Sequence, residues 1–431
     1  MLDSTSIEVN SNADLDVVII GLGYVGLPLA QAAVSVGLRV VGLDTSVKVA
    51  SQLNEGISHV DDLSNEDIEF MLEKGFRATN DSTAIELAKT IVICVPTPLT
   101  AGGAPDLSYV ANAAHAIAEH LQRGQLVILE STTYPGTTQE VVIPALATSG
   151  LTPGKDFACA YSPERIDPGN ELFGMRNTPK VVGGFTNTCL EQAVTFYAQF
   201  IDEVVPAKGL KEAEMAKLLE NTYRHVNIAL VNEMARFCHE LEIDLWDAIR
   251  CASSKPFGFH AFYPGPGVGG HCIPIDPRYL SHRVRADLGQ SFRFVELAQD
   301  VNAGMPAYVV FRIQELLNSH HMSVRGSSIL LLGVTYKADI ADLRESPATE
   351  IIRRLLALGA TISFHDPYTP RLQVEDTELE SVVNVDEGIQ SVNATVLLQA
   401  HECYRDVDLS ANAALILDTR GFLMGQNIVK L

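Results

Sequence analysis

The chain has 431 residues, too many for one ordinary hydrophobic core, and 47% of them are apolar, enough to fill the cores of two or three domains. Its formal charge is −22, from 53 acidic against 31 basic residues, which argues against a nucleic-acid partner and against an anionic membrane surface. Scattered cysteines with no CxxC pair, no apolar leader in residues 1–14 and no run of spanning length point to a cytoplasmic protein with free thiols and no membrane segment.

After the polar tail, residues 16–20 (Asp-Val-Val-Ile-Ile) predict a buried strand leading into Gly21-Leu22-Gly23-Tyr24-Val25-Gly26. Residues 28–36 predict a helix stopped by Gly37, and 39–44 the next strand. These apolar runs do not alternate with polar residues, as expected of a parallel sheet covered on both faces. Further strands are expected at 90–95, 125–130 and 157–161, giving a first domain over 15–205. Residues 210–241 hold no Pro or Gly and predict one long helix, and a second helical region follows over 292–320. Between them, 255–277 is too rich in Pro and Gly for regular structure and predicts a shaped loop. This central helical part, 206–322, is expected to dimerise the chain. The α/β pattern then returns over 323–431, with strands at 329–333, 361–364, 395–399 and 415–418 and a helix at 347–358. The fold class read from this order is α/β, with two Rossmann-like doubly wound domains joined by a central helical domain.

The first glycine run has the spacing of a dinucleotide loop. Gly21 permits the tight turn, Gly23 lets a pyrophosphate approach the backbone, and Gly26 lets helix and strand meet closely. Asp44 closes the second strand, where a carboxylate accepts hydrogen bonds from ribose hydroxyls and repels a 2′-phosphate, so NAD is expected rather than NADP. A second glycine run, Gly269-Gly270-His271-Cys272-Ile273-Pro274-Ile275-Asp276-Pro277, carries a cysteine. A thiol can trap an aldehyde as a thiohemiacetal, which loses a second hydride to become a thioester that water cleaves. One site can thereby take a primary alcohol to a carboxylate.

Four further motifs extend the pattern. They are Val95-Pro96-Thr97-Pro98; Glu130-Ser131-Thr132 followed by Pro135-Gly136-Thr137; Tyr161-Ser162-Pro163-Glu164-Arg165; and Lys217-Leu218-Leu219-Glu220-Asn221. A last one runs from Lys337 through Asp342-Leu343-Arg344-Glu345-Ser346. Together these motifs resemble, over nearly the whole chain, the UDP-glucose/UDP-N-acetylhexosamine 6-dehydrogenase family. The resemblance implies NAD as cofactor, a UDP-sugar as substrate, no metal, and a homodimer or higher homo-oligomer. It implies Cys272 as nucleophile, Asp276 as a proton carrier, Glu164 as the carboxylate that helps hydrolyse the thioester, and Thr132 as a hydroxyl that positions water. Lys217 and Asn221 stand i, i+4 on one helix face, and the resemblance makes them the pair that stabilises an oxyanion. For cofactor contacts it implies Gly21, Gly23, Tyr24, Val25, Gly26, Asp44, Thr97, Thr132 and Arg344. For substrate contacts it implies Glu164, Arg165, Lys217, Asn221, Tyr263, Gly267, Lys337 and Arg420, with ordinary surface charge as the competing reading of Arg420.

The chain departs from the glucose-type pattern in three places. His271 precedes the thiol where Ser is common, Pro256 stands at the spacing of an expected Arg, and the loop reads Pro264-Gly265-Pro266-Gly267. This form is similar to UDP-N-acetylglucosamine 6-dehydrogenases, with the mannosamine enzymes a near rival. Two other readings compete: a single-step hydroxy-acid dehydrogenase, which also uses a helix Lys and Asn but needs no thiol, and a catalytically silent NAD-sensing protein.

Overall fold

The computed structural model describes residues 15–60, 63–100, 102–167, 170, 172–270, 273–405, 407, 415–425 and 428–431. The chain divides into two compact units, Met1–Glu220 and Asn221–Leu431. Among the described residues no helix is long and apolar enough to cross a membrane.

The first unit is built on eight strands: β1 Leu15–Ile20, β2 Val40–Leu43, β3 Arg77–Thr79, β4 Ala88–Ile93, β5 Leu126–Leu129, β6 Ala158–Tyr161, β7 Lys180–Gly184 and β8 Val204–Pro206. Their order is β3-β2-β1-β4-β5-β6-β7-β8, and only the β6–β7 pair is antiparallel. The strands read as continuous apolar runs because both faces are covered. Val17, Ile19, Val92 and Ile128 belong to a core with Leu27, Leu29 and Ala33 of the first helix, Gly26–Ser35. Val18, Ile20, Ile91 and Ile93 belong to another core with Val110, Ala114 and Ile117.

The second unit carries a five-stranded parallel sheet. Its strands are β9 Ser328–Leu332, β10 Thr361–His365, β13 Ala394–Leu397, β14 Leu415–Asp418 and β15 Ile428–Lys430, in the order β10-β9-β13-β14-β15; β11 Arg371–Val374 and β12 Thr377–Glu380 form a separate hairpin. One face packs on Met305, Val309 and Ile313 of the helix Arg293–Ser319, and the other on Ile389, Tyr404 and Leu423. The long helix expected from residue 210 spans Leu210–Glu240.

The sequence reading of 255–277 as loop needs one correction. Asp276 and Pro277 already belong to a helix, Asp276–Leu288, with the proline in its first turn. The missing N–H of a proline is no loss there, and an acidic residue suits the positive end of the helix dipole.

The two sheets repeat the same local hydrogen bonds. Gly21 has φ +91 and donates to Leu43 O at 2.8 Å; Gly333 has φ +75 and donates to His365 O at 2.9 Å. Asp44, just past β2, accepts from Leu22 N at 3.0 Å; Asp366, just past β10, accepts from Val334 N at 2.7 Å. A Cβ at Gly21 would meet Cys94 O at 2.7 Å, and one at Gly333 would meet Gln399 O at 2.6 Å. The last unit is thus a second copy of the strand–turn–strand core, although its loop lacks the three spaced glycines.

Candidate active site

The cofactor loop has the geometry that its glycines allow. A Cβ at Gly26 would lie 1.9 Å from Gly21 O, so helix and turn approach each other only because the residue is glycine. Gly23 has nothing within 4 Å of its Cβ position, leaving open the space that a pyrophosphate needs, while Val25 stands just before the helix and Tyr24 is 40% exposed. Asp44 is held by Leu22 N and by Ser46 N at 2.8 Å, at the mouth of this loop. Thr97 Oγ1 donates to Thr132 O at 2.8 Å and joins the segments that follow β4 and β5. This set fits NAD: the helix N-terminus would hold its phosphates and Asp44 its ribose.

Deeper in the same unit, Lys217 is 7% exposed, and its ammonium donates to the backbone oxygen of Glu164. The Glu164 carboxylate is buried. Its Oε1 accepts from Ile166 N, and its Oε2 has no hydrogen-bond partner among the described residues. Arg165 is drawn the other way, to Glu220 at 2.7 Å and Pro179 O at 2.6 Å. Glu164 and Arg165 therefore do not pair with each other.

Two buried groups that the sequence reading passed over lie in the same unit, and one of them, Lys180, feels the Glu164 charge. Lys180 pairs with the fully buried Glu130, its ammonium 5.0 Å from the centre of the Tyr197 ring. Burial works against the Lys180 charge, but Glu130 and Glu164 outweigh it and hold its pKa above the ordinary lysine value. Glu214, also fully buried, accepts from Gly136 N, from Thr138 N at 2.8 Å and from Thr138 Oγ1 at 2.7 Å. Its spacing of three from Lys217 on one helix is the signal that would have found it.

In the second unit, Asn221 Nδ2 donates to Asp276 Oδ2 at 2.6 Å, and both side chains are buried. Asn232 holds the proline–glycine loop, accepting from Gly265 N at 2.9 Å and donating to Asn302 Oδ1 at 2.9 Å. Gly267 adopts φ +140 and lies against Pro347, Asn302 O and Pro306. Pro306 interrupts the helix Arg293–Ser319 and cannot donate to Asn302 O, which leaves that carbonyl facing the loop. Tyr263 is 54% exposed. A Cβ on Gly269 or Gly270 would strike Tyr336 at 2.6 Å, so the glycines before the thiol are required by contact with the next motif. His271 and Cys272 themselves lie outside the described residues.

Lys337 is half-buried on the turn after β9, and Arg344 is exposed and pairs with Asp342 at 2.6 Å. That turn is fastened by His401, whose Nδ1 accepts from Asp339 N at 2.9 Å and whose Nε2 lies 3.1 Å from Asp366. Arg420 donates to Leu398 O at 2.7 Å, and its Nη1 lies 2.9 Å from the Cβ position of Gly265. Burial draws its pKa down to about 10, with Asp418 opposing. The second unit thus brings Arg420 to the proline–glycine loop, and it is not an ordinary solvated surface charge.

Three family profiles match the chain in order. They are the NAD binding domain of the UDP-glucose/GDP-mannose dehydrogenase family over residues 15–201, its central domain over 211–304 and its UDP binding domain over 330–425. The chain is 34% identical to a UDP-N-acetyl-D-mannosamine dehydrogenase of Methanococcus maripaludis, covering 93% of this chain and 90% of that protein. It is 35% identical to a UDP-N-acetyl-D-glucosamine 6-dehydrogenase of Pseudomonas aeruginosa, covering 82% and 83%. The solved UDP-D-ManNAc dehydrogenase of Pyrococcus horikoshii superposes with a TM-score of 0.88 at 29% identity, covering 96% and 99%.

Proposed function

We propose that this chain, which belongs to the UDP-glucose/GDP-mannose dehydrogenase family and is an NAD-dependent UDP-sugar dehydrogenase, oxidises C6 of a UDP-N-acetylhexosamine from alcohol to carboxylate through a thioester on Cys272. The observation that carries the reading is the pair of buried polar couples on one long helix: Lys217 with Glu164, and Asn221 with Asp276. Fixed donors in a dry site stabilise an oxyanion far better than they would in water.

C6 gives up two hydrides in all, and two NAD molecules bound in turn would each accept one. The chain's own groups manage the rest. Asp276 takes the hydroxyl proton as the aldehyde forms, through water or Lys217. The Cys272 thiolate adds to the aldehyde carbon, and the resulting oxyanion is held by Lys217 and Asn221. Once that adduct has lost its second hydride, Glu164 takes a proton from water. The water oxygen bonds to the thioester carbon and the thiolate leaves, so one water is consumed per carboxylate.

The sugar proposed is UDP-N-acetylglucosamine, on the stiff Pro264-Gly265-Pro266-Gly267 loop. A pocket built for an acetamido group leaves a void and an unpaired polar atom around glucose, costing roughly 1–3 kcal/mol. The manno epimer is the second reading, favoured by the wider match to the mannosamine enzyme. A second copy of the chain is the proposed oligomeric partner, through exposed apolar residues such as Leu230, Phe237, Phe294 and Leu297 on the two long helices.

The test is NADH formed per sugar consumed, measured with UDP-glucose, UDP-N-acetylglucosamine and UDP-N-acetylmannosamine. Two NADH are expected, with UDP-N-acetylglucosamine used at least about tenfold more efficiently than UDP-glucose; a preference for UDP-glucose rejects the acetamido assignment, and a preference for the manno epimer rejects only the choice of sugar within it. One NADH per sugar defeats the thioester route, and none defeats the enzyme reading. Cys272→Ala should make no carboxylate; a variant that still makes it at the normal rate defeats the role of the thiol.

A further inference from the structure

The long helix meets a different motif at each turn of one face. Glu214, Lys217 and Asn221 stand at i, i+3 and i+7. Lys217 reaches Glu164, and Asn221 reaches Asp276. Glu214 reaches the turn that follows Thr132, where its two carboxylate oxygens take three donors: Gly136 N on one, and Thr138 N and Thr138 Oγ1 on the other. That turn has a second anchor, because Thr97 Oγ1 holds the Thr132 carbonyl. Gly136 is at φ +105, a left-handed conformation that residues with a side chain rarely adopt, so the turn depends on glycine there.

We propose that Glu214 is a positioning residue that sets the Thr132-bearing turn in register with Lys217, a role that rests on the function proposed above. A fully buried carboxylate is an expensive way to close a turn. Backbone or hydroxyl acceptors would satisfy the same N–H groups at less cost. What the carboxylate adds is rigidity between two groups assigned to the reacting centre, since both its oxygens must be met at once. Burial raises the Glu214 pKa and its three donors lower it, so the charge is opposed by the surroundings and held by the turn. A glutamine of the same shape cannot substitute: its NH2 must face either Gly136 N–H or Thr138 N–H, donor against donor.

The experiment compares wild type, Glu214→Gln and Thr138→Val, the last removing one of the three donors while leaving the buried carboxylate. Steady-state kinetics with the acetamido UDP-sugars and NAD are read beside hydrogen–deuterium exchange of residues 132–142 without ligands. For Glu214→Gln we expect kcat to fall on the order of tenfold to a hundredfold, as for a small misplacement of reacting groups, with both KM values within about twofold. Exchange over 132–142 should rise, and Thr138→Val should move both readouts the same way by less. If Glu214→Gln does not fold, Thr138→Val alone decides. An active wild type whose variants keep kcat within about twofold overturns the positioning role alone. Loss of folding stability with unchanged kcat also overturns it, leaving a structural carboxylate. A wild type that reduces no NAD with any UDP-sugar overturns the proposed function, and the catalytic purpose of this contact with it.

Discussion

Asp44 is the residue proposed to select NAD. Its oxygens are pinned by Leu22 N and Ser46 N, so it cannot swing away from an approaching group. Ribose hydroxyls can donate to its remaining lone pairs, whereas a 2′-phosphate brings negative charge against a fixed negative charge. NAD should therefore be preferred over NADP by about a hundredfold or more in kcat/KM, the ~2–3 kcal/mol of a mismatched charge contact. Asp44→Ala should narrow that ratio mainly by weakening NAD. Equal efficiencies in the unaltered protein would remove Asp44 from this role.

Between elements, the Lys180–Glu130 pair ties the start of β7 to the end of β5, on the side of the sheet where the segments carrying Thr132 and Glu164 leave β5 and β6. Both partners are buried, so removing one strands the other's charge in a dry setting. Lys180→Met should cost about 3–5 kcal/mol in denaturant unfolding, and Lys180→Met with Glu130→Met should recover much of it. A double variant no more stable than the single one would show that the pair is more than mutual neutralisation. The notch at Pro306 is another contact between elements. The carbonyl it leaves open faces Gly267, a position whose φ of +140 no other residue adopts easily.

Across the second unit, His225 stands where three helices meet: its own, the Arg293–Ser319 helix through Asn302, and the Asp276–Leu288 helix through Arg278. Burial, helped by the Arg278 charge, draws its pKa from 6.5 down to about 4. The unfolded chain then binds the proton more readily between those values. The stability this neutral histidine supports is present above pH ~6.5 and is lost as pH falls toward ~4, at most about 2 kcal/mol by pH 5. Urea midpoints taken from pH 7.5 to 4.5 should fall with this slope, and His225→Gln should flatten it. A variant with an unaltered slope would assign the acid sensitivity to other groups.

The sheets, the long helix and the cofactor loop were legible in the chain because their causes are local. Apolar runs without alternation make covered strands, a stretch without Pro or Gly makes a long helix, and three spaced glycines make one kind of turn. That Lys217 and Asn221 share one helix face could be read from spacing, and their joint role only from the family resemblance. Glu214, Lys180 and Asn232 could not be assigned partners that way, because those partners, Thr138, Glu130 and Gly265, are 76, 50 and 33 residues away in the chain. The returning α/β pattern announced a second Rossmann-like domain, but not that Asp366 and Gly333 take the hydrogen bonds of Asp44 and Gly21. Periodicity and turn chemistry act over a few residues and settle the elements. Which buried charge meets which donor depends on chain closure over long separations, and that only the tertiary structure decided.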